Sequence, residues 1–228
     1  MIYKTISLLL IGFFSFTISS EFSHKPENTK FTETTVNNSI EAKAEAIYNN
    51  LASNNFMLPP KKSFTKAMEG YFQFKEKGII QKDILTLVDY TLSSKENRLW
   101  VIDLKNKIIL FQSLVSHGRN SGNEFAAKFS DKPESYQSSL GFYATGETYY
   151  GKHGYSLRLD GLEKGVNSNA RARAIVVHGA DYVSEKFAQQ NGRLGRSLGC
   201  LALKQGLTKE VIDTIKDKSC LFVYYPSS

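Results

Sequence analysis

Only two cysteines, Cys200 and Cys220, occur in 228 residues, so the chain can form at most one internal disulfide. Neither stands near the N-terminal apolar stretch, which excludes a lipid-modified N-terminal cysteine. No Gly-Lys-Ser/Thr follows Gly192, Gly195 and Gly199, so these glycines are not a phosphate loop. His117, His153 and His178 are each followed by glycine, and with Cys200 they could in principle hold zinc. Their spacing is wide and irregular, however, and neither a metal nor a cofactor is expected. No basic cluster interleaved with aromatics is found, which argues against nucleic acid as a partner. No internal repeat or low-complexity tract is evident.

What is present is an ordinary globular composition, 41% hydrophobic and 22% charged, enough for one substantial core with a small helical addition. The formal charge of +7 suits an anionic partner such as a cell-wall polymer, and suits general solubility equally well. Lys4 precedes the apolar stretch Ile6 to Ile18, and Thr17 and Ser19 set small residues before a cut after Ser19. Residues 1–19 therefore read as a secretory signal peptide, with an apolar part too short for a comfortable membrane span. Export to the periplasm or cell envelope is expected, without stable membrane insertion once the signal is removed. Residues 20–38, rich in Thr, Asn, Glu and Lys, read as a flexible tether.

A helical segment is predicted over 39–80. Ser39 can cap a helix with Ile40, Ala44, Ile47, Tyr48 and Leu51 at helical spacing, and Pro59-Pro60 breaks the chain. Ser63 can cap a second helix bearing Phe64, Ala67, Met68, Tyr71 and Phe72, ended by Gly78. From residue 81 to 228 the pattern becomes mainly β. Short strands are predicted at Ile84 to Tyr90, Arg98 to Leu104, Ile108 to Val115, Leu140 to Thr145, Tyr155 to Leu159, Ala174 to His178, Leu201 to Leu203 and Leu221 to Tyr225. Helical stretches around Asp181 to Gln189 and Leu207 to Lys216 interrupt them. The fold class is mainly β (α+β), a sandwich or barrel with a small N-terminal helical layer. The polar stretch 119–138 is too long for a simple turn and reads as a functional or covering loop.

The chemistry concentrates at two points. Arg173 to Gly179 reads as a buried strand ending in His178-Gly179, and Cys200 lies 22 positions beyond His178 after Ser197-Leu198-Gly199. A free thiol has a pKa of about 8.5, so it needs a base to raise its thiolate fraction at neutral pH. Glycine beside it lets backbone N–H groups approach a substrate carbonyl. Cys220, in a terminal apolar strand, reads as a small buried residue.

His178-Gly179, a spacer, then Ser197-Leu198-Gly199-Cys200 resembles the signature of L,D-transpeptidases, exported cysteine enzymes of bacterial peptidoglycan. Val115 to Gly122, Ser138 to Tyr143, Gly154 to Gly161 and Gly195 to Ser197 make the chain similar to the murein L,D-transpeptidase catalytic domain branch over about Lys61 to Tyr225. The resemblance implies a β-rich catalytic domain with Cys200 as nucleophile and His178 as its partner. Ser197 and Gly199 would shape the loop and oxyanion site, with the N–H groups of Gly199 and Cys200 as donors. It also implies the substrate, the peptidoglycan stem tetrapeptide, attacked to give a thioester that an amine then receives. Leu198 stands where many members have His, and Ala202 where many have Arg. A carboxylate anchor is therefore expected from Arg196, with Arg158 or Arg193 as alternatives. His117 and Gly179 complete the expected substrate contacts, although a structural histidine is an equal reading for His117. Two other readings are compatible with the residues: a thiol L,D-carboxypeptidase, in which water takes the acyl group, and a non-enzymatic wall-binding module with a Cys200–Cys220 disulfide.

Overall fold

The computed structural model describes residues 29–226. The predicted signal peptide lies outside them. Helix α1 spans Thr29–Asn49. The expected tether is thus helical over its last part, from Thr29 to Asn38, and Ser39 lies inside the helix instead of capping it. Helix α2 spans Lys61–Glu76, and Pro60, which cannot continue a helix backwards, sets its start. Ser63 therefore sits within the first turn, buried, with its Oγ donating to Pro60 O at 3.0 Å. Phe64, Ala67, Met68, Tyr71 and Phe74 form the buried stripe of α2 at 3.6-residue spacing. Gly78 follows the last turn at φ +69, the left-handed position predicted for it.

Eight strands follow, with two further helices: β1 (Ile84–Asp89), β2 (Leu99–Asp103), β3 (Ile108–Ser113), β4 (Gly141–Gly151), β5 (Gly154–Gly161), β6 (Val176–Gly179), α3 (Glu185–Asn191), β7 (Leu201–Leu203), α4 (Gln205–Ile215) and β8 (Cys220–Tyr224). They form one sheet in the order β3-β2-β1-β8-β4-β5-β6-β7. The chain leaving β3 meets the opposite edge, Val115 bridging Leu203 and Ser116 N–H donating to Ala202 O at 3.0 Å. The sheet is therefore a nearly closed barrel, the mainly β class predicted, and its two edges protect each other.

Period-2 alternation gives the sheet two cores. On β8, Leu221 and Val223 face the barrel interior with Val88, Leu157, Val177, Leu201 and, from α4, Val211, Ile212 and Ile215. Cys220, Phe222 and Tyr224 face the other way, into a layer with Leu85, Leu87, Trp100 and the helices α1 and α2. A Cβ at Gly70 of α2 would meet the Phe142 ring at 2.1 Å, so glycine is what lets the helix lie against β4. Cys220 is fully buried in this second core, and three strands, β4, β5 and β6, separate its strand from β7. Both cysteines are free, which corrects the reading of a Cys200–Cys220 disulfide.

Candidate active site

The outer face of the β5-β6-β7 edge carries the chemical groups. Ser156 opposes His178 and Arg158 opposes Val176 across β5 and β6, and His178 opposes Ala202 across β6 and β7. Leu157, Val177 and Leu201 point into the barrel, so His178, Arg158 and Cys200 share the opposite face. Their closeness comes from strand pairing, because parallel β6 and β7 place Cys200 diagonally across from His178.

His178 is buried, with Nδ1 2.9 Å from Gly179 O. A carbonyl only accepts, so the neutral ring carries its proton on Nδ1 and leaves the Nε2 lone pair for base chemistry. Burial lowers the pKa of His178, which keeps the ring uncharged. Burial also raises the pKa of the half-buried Cys200 thiol, against the opposing pull of a backbone hydrogen bond at Val176 and the charges of Arg173 and Lys152. Burial thus favours the uncharged form of both groups. The thiol lies 3.5 Å from Ala174 O, to which it donates. Ala174 takes φ +53, a left-handed conformation unusual for alanine, and this turns the backbone ahead of β6.

Ser197 ties its loop together through two hydrogen bonds. Its Oγ donates to Cys200 O at 2.7 Å and accepts from Gly199 N–H at 3.0 Å. That second bond corrects one expectation: Gly199 N–H is engaged within the loop, whereas the N–H of Cys200 itself has no partner among the described residues. Gly199 must be glycine, with φ +123 and Gln137 O only 2.8 Å from where a Cβ would stand. At Gly179 a Cβ would meet side-chain atoms, Gln205 Oε1 at 2.3 Å and Thr208 Oγ1 at 2.9 Å, and the Gly179 carbonyl fixes the His178 tautomer.

Two expected substrate contacts are placed elsewhere. His117 is 1% exposed, its Nδ1 accepting from Arg98 Nη2 at 2.8 Å and its Nε2 facing Gly122 O at 3.4 Å. Burial and the Arg98 charge push its pKa down to about 4, so it is a neutral structural residue and does not line the cleft. Its backbone still serves the site, because His117 O accepts from Ser197 N–H at 3.0 Å. Arg196 spends Nη1 on Arg119 O, Gly122 O and Asn123 Oδ1 at 2.9–3.1 Å, clamping the start of the 119–138 loop. Arg158 is better placed as an anchor. It lies on the Cys200 face, half-exposed, over the Tyr149 ring at 4.4 Å and paired with Glu147 at 3.1 Å.

The sequence reading missed Arg173. Its guanidinium donates to Ser130 O, Ser139 Oγ, Ser135 Oγ and Gln137 O at 2.5–3.2 Å, tying the covering loop down beside Gly199. No motif announces this role; only an arginine just before a buried strand hinted at it. A hollow of about 430 Å³, lined by Lys152, His153, Gly179, Asp181, Tyr182 and Gln205, opens beside the site. A larger groove of about 1070 Å³, between α1, α2 and the β4–β8 face, contains none of the predicted site residues.

A thiol at the entry to β7 and an uncharged imidazole on β6 thus share one face at the barrel edge. A family model described as the L,D-transpeptidase catalytic domain matches residues 58–224, and the chain belongs to that family. No curated protein matches the chain in sequence. Among solved structures it is similar to an L,D-transpeptidase from Mycobacterium smegmatis, at 13% identity and TM-score 0.39 over 63% of this chain and 59% of that one. It is also similar to L,D-transpeptidase 3 from Mycobacterium tuberculosis (11%, TM-score 0.38, 63% of this chain and 61% of that one). An L,D-transpeptidase from Xylanimonas cellulosilytica gives 12% identity and TM-score 0.36 over 82% of this chain and 93% of that one. The chain spans about three-fifths of the length of the first two. With TM-scores below 0.5, these likenesses add nothing to the family assignment, which rests on the sequence model.

Proposed function

We propose that the protein is a peptidoglycan L,D-transpeptidase that works through a thioester on Cys200. The observation that carries this reading is the placement of Cys200 and a proton-accepting His178 on one face of the paired strands β6 and β7. Cys200 leaves its hydrogen bond to Ala174 O, and its proton passes to His178 Nε2 as the sulfur bonds to the stem-peptide carbonyl carbon. The carbonyl oxygen takes up the displaced electron pair beside the unengaged N–H of Cys200, where such a donor is worth about 3 kcal/mol. Collapse of the intermediate breaks the C–N bond, and the imidazolium returns the proton to the departing D-alanine amine. An amine of a second stem then attacks the thioester, His178 takes its proton, and Cys200 is released. Arg158 supplies the cation for a stem carboxylate.

The reading includes export to the cell envelope, supported by Lys4 and the apolar Ile6 to Ile18 stretch. Among the described residues no helix is long and apolar enough to cross a membrane. The test is incubation of the pure protein with a defined tetrapeptide stem and an amine acceptor, followed by intact-protein and product mass. A covalent adduct on Cys200 and a cross-linked product are expected. A trimmed stem without cross-link would assign the hydrolase instead, and no adduct would sink both.

A further inference from the structure

His153 has no place in the chemistry above. It stands at the tip of the β4–β5 hairpin, where Gly151 pairs with Gly154 and Gly154 takes φ +75 to make the turn. Its ring lies almost flat on the ring of His178, with centroids 4.3 Å apart and planes 22° apart. His153 is itself exposed, whereas His178 beneath it is 2% exposed. Two contacts therefore fix the His178 ring from different directions. The Nδ1–H bond to Gly179 O holds its edge, and the His153 ring covers its face.

We propose that His153 is a positioning residue: its ring caps His178, holding it in one orientation and shielding it from water, so that it serves as an uncharged base for Cys200. This inference rests on the reading of Cys200 and His178 as nucleophile and base. A base that is to accept a thiol proton must reach the reaction unprotonated. Cover by a flat ring favours that state, because water no longer solvates the imidazolium. The other groups around His178 are Lys152 on the same hairpin tip, Ser156 on β5, and Cys200 at the entry to β7. Asp181 and Tyr182 of the loop after β6 and Gln205 at the start of α4 line the adjacent hollow with Lys152 and His153. Positive charge on His153 itself and on Lys152 acts in the same direction as the cap, disfavouring the imidazolium, while the hydrogen bond to Gly179 O acts the other way. The hairpin tip thus tunes the base from outside the two strands that carry the chemistry.

The test uses the full chain and two readouts: the rate of Cys200 alkylation by iodoacetamide across pH, and the titration of the His178 ring by NMR. Cys220 is fully buried, so alkylation reads Cys200. His153→Ala opens the cover, and the low-pH limb of the rate and the His178 titration should both move up by about half a pH unit. That is roughly a threefold slower reaction at a fixed pH on the limb. His153→Phe keeps the flat cover and should shift the limb clearly less than His153→Ala, while His178→Gln should abolish the limb. Overlap of His153→Ala with the wild type would overturn the inference, and so would equal shifts in His153→Ala and His153→Phe. If His178→Gln leaves the limb in place, the nucleophile–base reading fails. The His178 titration in the His153 variants still decides the cap.

Discussion

His117-Gly118 and His178-Gly179 are the same dipeptide, each in a segment leaving a strand, and both histidines are buried. They hold opposite tautomers. At His117 a guanidinium nitrogen, which only donates, faces Nδ1, so the proton sits on Nε2 and points at Gly122 O. At His178 a carbonyl, which only accepts, faces Nδ1, so the proton sits there and Nε2 is left open. The first histidine has no lone pair to offer and the second has one beside a thiol. The two cysteines differ in the same manner: Cys200 is half-buried on the barrel's outer edge, while burial in the helix-covered core drives the thiol of Cys220 far above its ordinary range. What distinguishes a chemical group from a structural one here is the polarity of a single neighbouring atom and the side of a sheet.

The sharpest way to break this contrast is at the cysteines. Cys200→Ala should abolish the adduct with a stem tetrapeptide completely, with the melting temperature held within about 2 °C. Cys220→Ala should keep the adduct and lose about 1 kcal/mol from a fully buried site, read by denaturant unfolding. Adduct formation by Cys200→Ala would end the assignment.

At the histidines, His178→Gln should slow iodoacetamide alkylation at pH 7 by roughly a hundredfold and recover near pH 10, where the thiol ionises unaided. His117→Asn, which keeps an acceptor for Arg98, should leave that rate unchanged. If both variants slow alkylation alike, the tautomer argument is wrong.

His117 should show itself through stability instead. Its folded pKa, about 4, lies below the ordinary value of 6.5, so the unfolded chain takes up a proton first as the pH falls. The neutral form therefore supports the fold above pH 6.5. Stability on the order of 3 kcal/mol should be lost between 6.5 and about 4. Urea melts across that window should be steeply pH-dependent in the wild type and flatter in His117→Asn. An unchanged slope would remove His117 as the origin.

The smallest effects separate the arginines. Arg196→Ala removes three hydrogen bonds that hold the 119–123 turn and should cost about 1–2 kcal/mol of stability, with faster proteolysis of that loop. Arg158→Ala should leave stability within about 0.5 kcal/mol, since its ion pair is half-exposed, yet raise the KM for stem peptide severalfold. The reverse pattern would return the anchor to Arg196.

Much of this was readable in the chain. Near-continuous apolar runs at β1, β2 and β8 specify strands with two covered faces, and the α2 stripe specifies a helix, because such patterns are local properties. Gly78 and the short connection left between the strands predicted to end at Leu104 and to start at Ile108 were readable for the same reason. Asn106 N–H donates to Asp103 Oδ1 at 2.9 Å, and Lys107 turns the chain at φ +53. Ser63 was misread because a serine before an apolar stripe looks like a cap, while the fixed φ of Pro60 had already begun the helix.

By itself, then, the sequence determined the strands, the helical layer, the thiol and the imidazole that could serve it. Which histidine leaves a ring nitrogen open and which arginine lies on the Cys200 face were decided only in three dimensions. So were the capture of the covering loop by Arg173 and the stacking of His153 over His178. The physical reason is common to all four. Tautomer, burial and hydrogen-bond partner depend on atoms brought in from other strands: Arg98 to His117, the 119–123 turn to Arg196, and a hairpin tip to His178. No local pattern encodes such distant neighbours.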